Sequence, residues 1–204
     1  MLLLGRDEMP YTAAHKQRTR ERIVESARVL FNRNGFEQVS IDAVMEGAGL
    51  TRGGFYRHFS SKSELYAAAV ESFKSSNPFR RRLASKGDSR RTPRENARLL
   101  VETYLSDEVL ADTDHHCPLV ALPSDVARAG LEPRASYTML VEGMTGTFRA
   151  AFPIADADAE RKALLVISLC VGGMVLARTT DCPKLRRNLR AAARAQALAI
   201  IGED

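Results

Sequence analysis

Ile41 to Phe59 reads IDAVMEGAGLTRGGFYRHF, two short helical stretches joined by a glycine turn. Ile41, Val44 and Met45 recur at helical spacing and give the first stretch one apolar face. Gly47-Ala48-Gly49 then breaks it, because glycine reaches the left-handed backbone that a tight inter-helix turn requires. Leu50 is placed to plug the angle between the helices, and Thr51 is a candidate N-cap for the second. Phe55 and Phe59 form the apolar back of that second helix. Its front carries Thr51, Arg52, Gly53, Tyr56, Arg57 and His58, nearly all hydrogen-bond donors. A short helix with an apolar back, a small tip and donors in front fits the major groove of DNA.

The longer run from Ile23 to Phe73, IVESARVLFNRNGFEQVSIDAVMEGAGLTRGGFYRHFSSKSELYAAAVESF, closely resembles the DNA-binding domain of TetR-family transcriptional repressors. The matching elements are LFNRNGF, S-I-D-x-V, GAGLTRGGFYRHF and SSKSEL, without internal gaps, over about a quarter of the chain. The resemblance implies an all-α protein of about nine helices. A three-helix helix-turn-helix domain would span residues 12–60, a linking helix 61–86, and a larger helical bundle for effector binding and dimerisation 87–204. It also implies a dimer on a palindromic operator of double-stranded DNA, released by a small apolar or amphipathic effector. By resemblance, Thr51, Arg52, Gly53 and Tyr56 lie nearest the bases or adjacent backbone, while Ser40, Tyr56, His58 and Lys62 clamp phosphates. Arg52 has the donor fork to pair with a guanine edge.

Composition agrees with a folded partner of a polyanion. The chain has 204 residues, 45% hydrophobic content and a formal net charge of +5. Three unevenly spaced cysteines give no disulfide framework, and a reduced cytoplasm is the simpler reading. Met1-Leu2-Leu3-Leu4 is too short for a signal-peptide core, and no run reads as the ~20 apolar residues of a membrane span. Between Phe79 and Arg98 eight Lys or Arg meet only Asp88 and Glu95, which reads first as a solvated surface and second as an extra DNA contact. Lys86-Gly87-Asp88-Ser89 is a loop signal and marks the domain boundary.

Elsewhere the helical signals are local. Lys16 to Asn34 reads as the first helix, stopped by Asn34-Gly35, with its basic front (Lys16, Arg18, Arg20, Arg22) mostly solvated. Ser61-Lys62-Ser63-Glu64 and Thr92-Pro93-Arg94-Glu95 are capping-box patterns. Asp107 to His116 is polar and broken, and one helix is predicted from Cys117-Pro118 to about Arg128. Tyr137 to Phe152 shows the cleanest apolar periodicity, ended by Pro153. The helix from Asp156 to Arg178 is apolar all round in its second half, which predicts burial on several sides, and Asp181 is placed to cap the last helix.

Leu100, Tyr104, Cys117, Leu122, Met139, Met144 and Phe148 are the candidate effector-pocket residues, although most such residues are simply core. Val171, Gly172, Gly173, Val175, Leu185, Leu189 and Ala193 are the candidate dimer surface, the alternative being a monomer core. Cys117, after His115-His116 and before a predicted helix start, is also a candidate redox or electrophile sensor. Buried and inert is the default for it and for Cys170. No second ligand cluster supports a metal site, and no cofactor is implied. A thiol enzyme is disfavoured because no C-x-x-C pair is present, and neither a phosphate loop nor a triad signature appears. A DNA-binding factor with no ligand remains a third class.

Overall fold

The computed structural model describes residues 13–76 and 91–202. Among these, every regular element is helical, ten α-helices and one 3-10 helix. The head consists of α1 (Ala13–Gln38), α2 (Ile41–Gly47), the 3-10 helix Arg52–Arg57 and the start of α3 (Lys62–Ser76). The remainder consists of α4 (Pro93–Tyr104), α5 (Asp107–Ala111), α6 (Pro118–Ala121), α7 (Pro123–Arg128), α8 (Leu131–Arg149), α9 (Ala159–Thr179) and α10 (Pro183–Ile201). The predicted boundary near Lys86 and most of the basic run lie outside the described residues.

In α1, Ile23, Val24, Ala27 and Phe31 are buried on one side. Phe31 meets Tyr66 of α3 edge-on, with ring centroids 5.0 Å apart, and Phe36 stands 4.8 Å from the same ring. Burying one such aromatic ring stabilises by roughly 1.5–3 kcal/mol. The first helix breaks at Asn34-Gly35 as expected: Gly35 takes φ +74 and ψ 172, outside the helical region, and a separate short turn follows to Gln38, with the Phe36 N–H donating to Asp125 Oδ2 at 3.2 Å.

α3 packs against both α1 and α8, and so joins the head to the rest. α4 opens with the predicted capping box: Thr92 Oγ1 accepts from the Glu95 N–H, and the Glu95 carboxylate accepts from the Thr92 N–H. The polar stretch after it holds a short helix, α5, capped by Ser106. The single helix expected over Cys117–Arg128 is two, α6 and α7, because Pro123 has no N–H to continue the first. α10 begins at Pro183 with Cys182 as its N-cap, and Asp181 makes no cap.

α9 and α10 form the most extensive helix pair. Ala163, Val166, Ile167, Cys170, Met174 and Ala177 of α9 are buried. The other side is not: Leu164, Leu165 and Leu176 are 46%, 42% and 54% exposed. The helix packs against α4, α5, α6, α8 and α10, so the burial predicted on several sides is met in part and leaves these leucines uncovered within one protomer. By length and composition alone α9 is apolar enough to cross a membrane, contrary to the expectation from sequence, but one face of it lies in the protein core.

Candidate nucleic-acid interface

The two halves of the reading head are held by contacts at their ends. Ser40 caps α2, its Oγ accepting from the Ala43 N–H at 3.0 Å. Val44 and Met45 bury the inner face. Gly49 takes φ +65, which lets the Leu50 N–H return to the Met45 carbonyl at 2.8 Å. From α1, Arg22 donates to the Ala48 carbonyl and Ser26 Oγ to the Val44 carbonyl, fixing the turn from behind. The second half is a 3-10 helix, not the α-helix expected. It is six residues long with two adjacent glycines, and its Gly54 N–H bonds to the Thr51 carbonyl, three residues back. Thr51 supplies no side-chain cap.

Phe55 and Phe59, at 0% and 2% exposure, are the buried back. Thr51, Arg52, Gly53, Tyr56 and Arg57 form the exposed front, and nothing lies within 4 Å of a Cβ placed on Gly53. Tyr56 is 63% exposed and stands edge-on to Phe55, centroids 5.2 Å apart. This is a short rod with a packed spine and an exposed donor face.

The flanking groups divide. Ser40 is exposed at the tip of α2. His58 is half-buried, and burial, then Lys16, Arg20 and Arg57, hold its pKa below the ordinary value. Burial and the positive field around the ring thus both disfavour its charged form. Lys62 is also half-buried. Its ammonium lies 4.3 Å over the Phe36 ring and 3.4 Å from the Glu37 carbonyl, and burial lowers its pKa against the opposing pull of Glu37. It buttresses the end of α1 as well as lying at the start of α3. Arg20, expected to be solvated, stacks on Phe59 at 4.6 Å. Arg57, counted on the donor front from sequence, is an exposed cation here; the group missed from sequence is Asp42, which pairs with Arg52 across the turn, Nη1 to Oδ2 at 2.6 Å.

The effector candidates come together only in part. Leu100, Tyr104, Cys117, Leu122 and Phe148 are buried and Met144 is half-buried. Tyr104 and Cys117 interact directly, and burial pushes the Cys117 thiol up to about 11. Met139 is on the surface, 37% exposed, with its sulfur 3.4 Å from Lys74 Nζ. Of the dimer candidates, Leu185 is exposed and Val171, Gly172, Val175 and Leu189 are partly exposed. Gly173 and Ala193 instead face each other inside the protomer, a Cβ on Gly173 falling 2.6 Å from that of Ala193. Among the described residues no group of His, Cys, Asp and Glu could hold a metal ion.

Residues 23–69 match the profile described as "Bacterial regulatory proteins, tetR family". The head of this chain is thus similar to the DNA-binding domain of that family. The head is 38% identical over 60 residues to the uncharacterized HTH-type transcriptional regulator YfiR of Bacillus subtilis, covering 29% of each chain. It is 38% identical over 61 residues to the HTH-type transcriptional regulator SrpR of Pseudomonas putida, covering 30% of this chain and 29% of that one. These alignments span less than a third of the length of the curated relatives. The fold is similar over most of the chain to that of a TetR-family transcriptional regulator from Cytophaga hutchinsonii, with TM-score 0.73 and 21% identity over 91% of this chain and 94% of that one. A TetR regulator from Chloroflexus aurantiacus gives TM-score 0.70 and 23% identity over 89% and 95%.

Proposed function

We propose that this protein is a one-component transcriptional repressor that holds a palindromic operator as a homodimer and is released by a small apolar or amphipathic effector. One observation carries the reading. Thr51, Arg52, Tyr56 and Arg57 are exposed on a rod whose spine, Phe55 and Phe59, is fully packed. Such a rod enters the major groove without rearranging the core. Arg52 and Tyr56 read base edges, while Ser40, His58 and Lys62 approach phosphates, so binding falls steeply with salt. Access to the operator requires the protein to work in the cytoplasm.

The homodimer is supported by the apolar stripe on α9 and α10. Leu164, Leu165, Leu176 and Leu185 are all more than 40% exposed, and the same surface on a second copy is the natural cover. The effector is assigned to the region of Leu100, Tyr104, Cys117, Leu122, Met144 and Phe148, mostly buried apolar side chains with the Tyr104 hydroxyl and the Cys117 thiol among them. The alternative of a thiol sensor at Cys117 loses support, since burial raises that thiol instead of activating it.

Footprinting on the DNA upstream of its own coding sequence tests the reading. Protection is expected over two half-sites spaced by about one helical turn or a multiple of it. Protection of one half-site by a monomer, or of no sequence, overturns it.

A further inference from the structure

We infer that Asp42 is a positioning residue for base selection: its carboxylate holds Arg52 so that the free edge of the guanidinium meets a guanine. This rests on the proposed reading of the head as a DNA-binding element. Asp42 is the second residue of α2, on a turn already fixed by the Ser40 cap. Arg52 is the first residue of the 3-10 helix. Their 2.6 Å ion pair bridges the two halves of the reading head at the tips that face outward.

The pair does little for the fold. Both side chains are more than half exposed, 62% and 55%, where an ion pair is screened and contributes little stability. Its effect is on orientation. Arginine carries five N–H donors in a rigid plane. With Nη1 held by Asp42 Oδ2, the Nε and Nη2 edge remains as a two-pronged donor. That edge matches the O6 and N7 acceptors of guanine. A pinned guanidinium loses less freedom on docking, and loses more when the base in front of it offers no matching acceptors.

The same carboxylate repels every phosphate backbone. Asp42 therefore lowers affinity for duplex DNA in general and raises discrimination between sequences. These opposite signs separate positioning from simple charge. A carboxylate that only competed with DNA for Arg52 would change affinity and leave base preference alone.

Selection from randomised duplexes with the wild-type protein defines the preferred site, and titrations on single-base-pair variants of it give the preference at each position. Arg52→Ala is expected to lose about tenfold preference for guanine at one position per half-site. Asp42→Asn and Asp42→Ala are expected to lose about two- to fivefold at that position only. They should bind unrelated duplexes as tightly as wild type or more so, and Asp42→Glu should restore part of the preference. Unchanged preference in Asp42→Asn, or an equal loss at every position with a lowered thermal midpoint, overturns the positioning role while the head remains a DNA reader. If wild type enriches no sequence, or Arg52→Ala keeps every preference, the reading of the head itself fails.

Discussion

The side-chain amide of Asn32 donates to the main-chain carbonyl of His116 at 3.1 Å, tying the first helix of the head to the segment that carries Cys117. The same nitrogen reaches the Asp114 carbonyl at 3.0 Å, and Asn32 is 3% exposed. Around it, Arg33 grips the Asp114 carboxylate with two nitrogens at 2.5 and 2.6 Å, and Arg178 of α9 donates to the Asn32 carbonyl at 3.2 Å. Replacing Asn32 strips a buried donor from two carbonyls at once. Asn32→Ala is expected to lower stability by about 2 kcal/mol. Arg33→Ala removes an exposed, solvent-screened pair and should cost less than Asn32→Ala. Urea unfolding of the two variants checks the order, and equal losses would mean that the Asn32 contacts are not shielded from water.

His116 makes this joint sensitive to acid. Burial, and after it the nearby Arg178, lowers its pKa from 6.5 to about 4. In the unfolded chain the imidazole takes a proton near pH 6.5 that the folded protein refuses until about pH 4. Stability attributable to this ring is therefore fully present above the unfolded pKa, falls as pH drops through that window, and flattens below it. The loss is about 3 kcal/mol at most. Carboxylates with depressed pKa, such as Asp112 and Asp114, add acid sensitivity of the same sign. The measurement is thus the difference between wild type and His116→Leu. Unfolding at about pH 7.5 and about pH 5 should show a smaller drop in the variant. Parallel drops would remove His116 from the account.

The head was legible because its signals are local. The Ser40 cap, the turn at Gly49 and the spacing of Phe55 and Phe59 all lie within one twenty-residue stretch of sequence. What sequence reasoning missed are side-chain contacts between different elements. Arg20 stacks on Phe59, Asp42 pairs with Arg52, and Phe36 is caught by Asp125. Periodicity also identifies an apolar helix without saying which side a neighbour covers. Gly173 and Ala193 turned inward, while Leu164, Leu165 and Leu176 of the same helix pair stayed outside. Met139 is out of helical phase with Leu140, Met144 and Phe148, and it lies on the surface beside Lys74.

The three thiols should react in two classes. Cys117 and Cys170 are buried, and burial pushes their thiols up to about 11 and about 12. The nucleophile is the thiolate, so both are protected twice over, by access and by protonation. Cys182 is exposed at the start of α10. Titration of the native protein with a coloured disulfide reagent should give one fast thiol per chain, absent in Cys182→Ser, and the other two only after unfolding. A fast reaction retained in Cys182→Ser and lost on adding Cys117→Ser would return the thiol-sensor reading.

Leu176 tests the proposed dimer surface most directly. It is the most exposed of the four leucines on the α9 and α10 stripe, at 54%. Within one protomer a charge there is nearly free, since surface substitutions usually change stability by less than about 0.5 kcal/mol. Across a two-fold axis the same side chain meets an apolar partner surface, and Leu176→Glu buries a carboxylate twice. The variant is expected to stay helical by circular dichroism while its dimer dissociation constant rises at least about thirtyfold. Operator affinity should fall with it, because each half-site then has to hold its own head. Ile154→Glu is the control, 97% exposed but off the stripe, and should sediment like wild type. If Leu176→Glu remains as dimeric as wild type at low concentration, the two chains meet elsewhere and the stripe needs another occupant.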